Sequence, residues 1–236
     1  MYENVSAAEM YDLLYQDRKD YRAEAEHVAG LIRAHRPDAG SLLDVACGTG
    51  IHLEAFAGLF AQVEGIDLAK PMVEVAAERL PGVPLHLGDM RTFHLDRTFD
   101  AIVCMFSSIG YLRSAADLDR TLSAMAGHLA PGGVVVIEPW YFPENFLDGH
   151  VSGHALTWDN RTITRVSHST RQGDAVRMEL HYVVADSGGV QHRSEIDLLT
   201  LFTRDQYEAA YSRAGLKAEY QESPGSGPGF FVGVRS

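Results

Sequence analysis

Between Ser41 and Glu138, short apolar runs alternate with helix-like segments five times, and few folds accept that rhythm. The runs are Ser41–Cys47, Gln62–Asp67, Pro84–Leu87, Phe99–Cys104 and Val134–Glu138. They are apolar enough along their length to be covered on both faces, as strands of a parallel sheet are. Helices are expected from about Ile51, from Lys70 to Leu80, and from Ser114 to about Leu129, where Ser114 and Asp117 form a variant capping box. Upstream, Asp20 caps a helix to about His35, with Ala25, Val28, Ala29 and Ile32 on one face, and Pro37, Asp38 and Gly40 break it. Alternation of this kind specifies a doubly wound α/β fold.

The rhythm changes after the fifth strand, where Pro131-Gly132-Gly133 has turned the chain into Val134–Glu138. From about His154 to Leu201 the pattern alternates with period two, in the segments Thr162–Ser169, Ala175–Val184 and Gln191–Phe202. Gln172-Gly173-Asp174 and Ser187-Gly188-Gly189 separate them, so an antiparallel meander is expected. Thr203 and Gln206 then form a capping box for a helix to about Ala214, which Gly215 stops. Two last strands, Leu216–Glu222 and Gly229–Val234, complete a mostly parallel seven-stranded sheet with an antiparallel insertion after its fifth strand. The expected division is a core of residues 1–140 and 203–236 and an insertion of residues 141–202.

At 236 residues and 46% hydrophobic, the chain can bury a core without disulfides. Its two cysteines, Cys47 and Cys104, are expected as free thiols of a cytoplasmic protein. The N-terminal MYENVSAAEM does not resemble a signal peptide, and no apolar run reaches the ~20 residues that span a bilayer. A formal net charge of −12 argues against binding nucleic acid or an anionic membrane. The 11 histidines are scattered and no CxxC is present, so no metal site is expected.

Ligands of such sheets bind at the carboxyl ends of the strands. After the first strand stands Asp44-Val45-Ala46-Cys47-Gly48-Thr49-Gly50, where Gly48 and Gly50 permit a sharp turn and close approach to a ligand. Asp67 ends the second strand, 17 residues beyond Gly50, where a carboxylate can accept from both hydroxyls of a ribose. Gly88-Asp89-Met90 follows the third strand and suits an adenine, with Asp89 for the exocyclic amine and Met90 against the ring. A dinucleotide fingerprint would need a third glycine at position 53, where Leu53 stands, so a nicotinamide-dependent oxidoreductase is the weakest alternative.

With these residues in view, LLDVACGTG resembles the first motif of the class I S-adenosylmethionine methyltransferases, whose fold is Rossmann-like. Further stretches, CMFSSIGYL, GGVVVIEPWYFPENF, TRVSHSTR, LTLFTRDQYEAA and FFVGV, resemble the bacterial N,N-dimethyltransferases of nucleotide-linked amino sugars, which serve the biosynthesis of desosamine and mycaminose. The resemblance spans nearly the whole chain. It implies S-adenosylmethionine as cofactor, with Tyr11 and Tyr21 reaching its methionyl end and Ala46, Asp67, Leu68, Met72, Asp89, Met90 and Met105 lining its pocket. It also fits a homodimer, and a dTDP-linked amino-deoxysugar as the acceptor in antibiotic biosynthesis.

The charge distribution supports an anionic acceptor independently. Residues 151–193 carry five arginines, no lysine and four acids, so this segment is +1 within a chain of −12. Arginine suits bidentate phosphate recognition, and Arg165 and Arg177 are the expected contacts, with Arg177, Glu179 and His181 sharing one strand face. Trp140, Tyr141 and Phe142 follow the fifth strand, where an aromatic wall can pack on a sugar or base. Ser108 and Tyr111 follow the fourth strand, and Tyr2 belongs to a segment able to fold over the pocket. Relatives of this type carry an arginine in a final SGRGLF, whereas this chain reads Ser226-Gly227-Pro228-Gly229-Phe230-Phe231, so one expected phosphate anchor is missing.

The expected reaction is in-line displacement by an acceptor nitrogen, driven chiefly by proximity and orientation. Tyr111 and Glu138 are the candidate catalytic groups, as hydrogen-bond acceptors for the amine, without an obligatory general base. Alternative readings are an N- or O-methyltransferase of another metabolite, which Pro228 favours, and a catalytically silent S-adenosylmethionine-binding protein, which the aromatic run opposes.

Overall fold

The computed structural model describes residues 19–223 and 227–236, so Tyr2 and Tyr11 lie outside the described residues. The chain runs α1 (Tyr21–His35), β1 (Ser41–Val45), α2 (Ile51–Ala57), β2 (Gln62–Asp67), α3 (Lys70–Arg79), β3 (Leu85–Leu87) and β4 (Phe99–Cys104). It continues through a 3-10 turn at Ser108–Tyr111, α4 (Ala115–Gly127) and β5 (Leu129–Ile137). Four long strands follow, β6 (His150–Trp158), β7 (Arg161–Gln172), β8 (Ala175–Asp186) and β9 (Gly189–Thr200). Helix α5 (Arg204–Arg213) and strands β10 (Leu216–Gln221) and β11 (Phe230–Arg235) end the chain.

Seven strands form one sheet in the order β10-β11-β5-β4-β1-β2-β3. β1 to β5 are parallel, while β11 runs antiparallel to β5 and β10 antiparallel to β11. Strand alternation divides the core between two faces. Leu43, Val45, Ile102, Cys104, Val135 and Ile137 pack with Leu118, Leu122 and Met125 of α4 and Tyr207 and Tyr211 of α5. Leu42, Ala101, Val103, Val134 and Val136 pack with Val28 and Ile32 of α1 and Leu53 and Phe56 of α2. Helices thus cover both faces, and strand order reverses between β1 and β4, which is where such a sheet opens a crevice.

The helix starts follow the capping residues. The side chain of Asp20 accepts from Ala23 N, that of Ser114 from Asp117 N, and Thr203 and Gln206 form a reciprocal box. Asp117 uses its carboxylate to accept from the N–H of Arg113, one residue before the cap, which is how the variant box closes. β5 begins at Leu129, five positions earlier than the apolar run. Pro131-Gly132-Gly133 lies within it as an irregularity, with Gly132 at φ +72° and a register shift opposite Phe99 and Ala101.

The second sheet corrects the expectation of three strands. It has four, in the order β6-β7-β8-β9, all antiparallel. β6 was hidden because its turn is only two residues long. Asp159 and Asn160 both take positive φ (41° and 60°), as a tight hairpin requires, and Trp158 pairs with Arg161 across them.

Candidate active site

At the end of β1 the backbone turns through Ala46, a non-glycine residue in the left-handed region at φ 62°, and Gly48 at φ 56°. Both Ala46 N and Cys47 N donate to Ile66 O of β2, which ties the loop to its neighbour strand. Asp67, one residue on, accepts from Gly48 N at 2.9 Å through one oxygen and from Ala69 N at 2.8 Å through the other. A carboxylate held by two loops is an oriented acceptor for hydroxyls.

Around this loop lies a cavity of about 500 Å³. Tyr21, Ala46, Gly48, Asp67, Leu68, Met72, Asp89, Met90 and Met105 line it, so nine of the sequence-expected cofactor residues converge. Gly50 does not line it. Gly50 caps α2 at φ 82°, and a Cβ there would lie 3.2 Å from that of Ala76, so its smallness serves the packing of α2 on α3. Asp89 is gripped by Arg91, through Arg91 N at 2.9 Å and Nε at 2.9 Å, and that hydrogen bond holds its carboxyl below the ordinary range.

Asp44 supplies the most informative electrostatics. It is 1% exposed, lines the cavity, and neither oxygen has a hydrogen-bond partner among the described residues. Burial, aided by the charge of Asp67, pushes its carboxyl well above the usual carboxylate range. An unpartnered buried carboxyl at a ligand cavity suits a cationic ligand, and the ammonium and sulfonium of S-adenosylmethionine meet that need. Asp67 and Met90 line the same cavity, where they would hold the ribose and the base.

A second cavity of about 660 Å³ adjoins the first, and Met72, Phe106, Ser108 and Tyr111 line both. These four residues form a throat between the two spaces. Its wall is strained and latched: Phe106 and Ser107 sit at φ 54° and 58°, Phe106 N donates to Glu138 Oε2 at 2.6 Å, and Ser107 Oγ donates to Pro139 O at 2.9 Å. Burial raises the Glu138 carboxyl above its ordinary range, with the charge of Lys19 pulling the other way. Lys19 Nζ lies 2.9 Å from Glu24, 3.5 Å from Glu138 and 4.3 Å above the Phe106 ring. His52 in turn lies 2.5 Å from Glu24. Lys19 and Glu24 were not expected at the site, and nothing in their spacing marks them.

The far wall of the second cavity is the inward face of β7, β8 and β9, with Trp140 at its base. Arg165, 6% exposed, lines it as expected. Arg177 and His181 do not. Met178, Leu180 and Tyr182 point inward, so Arg177, Glu179 and His181 occupy the opposite face. There Arg177 and His181 pair with Glu179 at 2.8 and 3.1 Å, and His181 stacks on His192. The aromatic run also divides. Trp140 lines the cavity, with a shielded Nε1 that has no partner among the described residues. Tyr141 is exposed outside it, and Phe142 is wholly buried in the main core. Tyr182, Arg193 and Asp197 line the cavity unanticipated, because alternation identifies two faces of a strand without saying which one is inside.

Among the described residues no three His, Cys, Asp or Glu side chains come together to hold a metal ion, and no helix is long and apolar enough to cross a membrane. Cys47 and Cys104 are free and buried, and burial pushes both thiols far up.

A doubly wound sheet with Ala46–Gly48, Asp67 and Asp89 at successive strand ends around one cavity defines a class I methyltransferase, and residues 42–133 match the family model described as a methyltransferase domain. The dTDP-3-amino-3,4,6-trideoxy-alpha-D-glucopyranose N,N-dimethyltransferase of Streptomyces venezuelae is 54% identical over 99% of both chains. The crystal structure of Streptomyces venezuelae DesVI superposes with a TM-score of 0.95, at 52% identity over 99% of this chain and 100% of that one. The structure of S-adenosylmethionine-bound CalS10, an amino pentose methyltransferase from Micromonospora echinaspora, gives a TM-score of 0.90 at 48% identity, over 100% of both chains. The chain belongs to this family of S-adenosylmethionine-dependent sugar N-methyltransferases.

Proposed function

We propose that the enzyme N,N-dimethylates the amino group of a dTDP-linked amino-deoxysugar. The observation that carries this reading is the throat: the same four side chains border a cavity suited to S-adenosylmethionine and a second one walled by tryptophan and arginine. S-adenosylmethionine supplies an activated methyl group on sulfonium. The chain supplies placement. Tyr21, Asp44, Asp67, Asp89 and Met90 hold the cofactor, while Trp140 packs on the acceptor and Arg165 draws its phosphates. Holding nitrogen and methyl in line contributes several kcal/mol, up to roughly 10 in favourable cases.

Tyr111 and Glu138 border the second cavity from the throat side, and each offers an oxygen to the amine. The nitrogen must present a lone pair, and each transfer leaves one proton for it to lose. A hydrogen bond from the amine N–H to Tyr111 or Glu138 orients the lone pair, and solvent takes the proton. Glu138 and Asp197, which line this end, also attract the amine in its ammonium form before it deprotonates.

The test is mass spectrometry of dTDP-3-amino-3,6-dideoxyglucose after incubation with the enzyme and S-adenosylmethionine, with the 4-amino isomer in parallel. Two successive methyl gains on one isomer are expected. No gain on either, with the cofactor bound, would refute the nucleotide-sugar acceptor.

We also propose a homodimer built on the outward face of β6–β9. Val151, Val166, Val183, Val190 and Ile196 are exposed there, all on the side away from the cavity. A monomer in size-exclusion chromatography would dispose of it. The two free thiols support a cytoplasmic setting, and the net charge of −12 disfavours nucleic acid and anionic membranes as partners.

A further inference from the structure

We propose that Arg193 is a diphosphate-binding residue of the acceptor cavity, acting with Arg165 across Tyr182. The proposal rests on the reading that the acceptor is linked to a nucleotide diphosphate. Arg165 pairs with Tyr182 on β8, and Tyr182 pairs with Arg193 on β9. All three line the cavity, so two guanidinium groups flank one phenol in a single cross-strand row. A diphosphate offers oxygens on two phosphorus centres, and two planar forks approaching from neighbouring strands match them.

The ion pairing of the sheet singles out Arg193. On the outward face Arg177 is already paired with Glu179. On the inward face the carboxylates are engaged by other groups. Glu195 accepts from Tyr182 Oη at 2.7 Å, Asp197 from Tyr111 Oη at 2.9 Å, and Glu138 from Phe106 N. Arg193 makes no ion pair or hydrogen bond with another described residue. The four-stranded sheet therefore turns its neutralised arginine outward and presents an uncommitted one to the cavity.

The cavity is also polarised along its length. Asp197 meets Tyr111 at the throat, and Arg193 lies four residues further along the same strand, roughly 13 Å away at strand rise. Glu138 and Asp197 stand toward the throat, and Arg165 and Arg193 form the far row, where the carboxylate of Glu195 is taken up by Tyr182 Oη. A sugar carrying an amine at one side and a diphosphate at the anomeric carbon presents the complementary pattern. Arg193 thus supplies a cation for the phosphates in a chain whose C-terminal segment carries Pro228 where an arginine was expected.

The test is calorimetric titration of dTDP and of thymidine into the full-length enzyme holding S-adenosylhomocysteine, for wild type, Arg193→Gln, Arg193→Lys and Arg177→Gln. Wild type should bind dTDP well and thymidine weakly. Arg193→Gln should weaken dTDP roughly ten- to a hundredfold, with thymidine and S-adenosylhomocysteine affinities unchanged. Arg193→Lys should recover part of the loss. Undiminished dTDP affinity in Arg193→Gln, or a loss in Arg177→Gln instead, would overturn the assignment of Arg193. A wild type that methylates a free amino sugar but does not bind dTDP would overturn the nucleotide-linked acceptor itself.

Discussion

Tyr111 donates its phenolic hydrogen to Asp197 Oδ2 at 2.9 Å, joining the throat of the catalytic core to strand β9 across 86 residues of chain. Two further bonds stitch the same edges, from Arg113 Nη1 to Leu198 O and from Thr200 Oγ1 to Leu112 O. Tyr111 is 51% exposed, and the bond to Asp197 ties its hydroxyl to the second sheet. Burial raises the Asp197 carboxyl while the Tyr111 hydrogen bond opposes that rise. With its hydrogen committed to Asp197, the phenolic oxygen keeps its lone pairs for a donor, the role proposed for it toward the amine.

Tyr111→Phe and Asp197→Asn are therefore expected to lower kcat/KM for the acceptor by about threefold to tenfold, the worth of one hydrogen bond. The double variant should lose little more than either single one, because the two act as a unit. Steady-state kinetics reads this, with the S-adenosylmethionine affinity as a control that stays constant.

Asp44 makes a pH-dependent case. Its folded-state pKa is raised, so between the ordinary carboxylate value and the raised one the folded protein binds more protons than the unfolded chain. Stability of the cofactor-free enzyme should therefore fall as pH rises through that window. Asp44→Asn should flatten the fall and weaken S-adenosylmethionine by at least tenfold, the scale of a hydrogen bond to a charged group. Thermal melts across the window, with and without cofactor, measure both effects.

Glu138 holds two groups at once, the Phe106 amide and Lys19. Glu138→Ala leaves the amide without its acceptor and is expected to cost roughly 2 to 3 kcal/mol. In a chain of this size that lowers Tm by about 2 to 4 °C per kcal/mol. Glu138→Gln keeps an oxygen for the amide and should cost less than half as much, while still reducing turnover.

Ala46 holds a left-handed conformation that costs a residue with a Cβ about 1 to 2 kcal/mol. Glycine would relieve that and give back about 0.5 to 1 kcal/mol in chain entropy. Ala46→Gly should then raise Tm by a few degrees at most, readable by calorimetry, with cofactor affinity held within a few-fold.

The main sheet and its ligand edge were legible because each strand end carries its own chemical signature. Gly48, Asp67 and Asp89-Met90 each follow an apolar run, and the topology brings such ends together. The second sheet was legible only as a pattern. Period two told that Arg177 and His181 share a face, but choosing the inner face depends on how β7–β9 sit against the core, which no local pattern encodes. Lys19 stayed hidden for the same reason, since its partner Glu138 is 119 residues away. Tyr141 and Phe142 show the limit of composition: three consecutive aromatics go to the cavity, the surface and the core in turn.

In the proposed reaction a methyl group crosses the throat at Tyr111 from the first cavity to an amine in the second. The direct measurement is an NMR spectrum of the product formed from S-adenosylmethionine labelled in its methyl carbon and dTDP-3-amino-3,6-dideoxyglucose. Labelled methyl carbons attached to the sugar nitrogen, first one and then two, are expected. A labelled methyl on a sugar oxygen, or no label in the sugar while the cofactor binds, would contradict it.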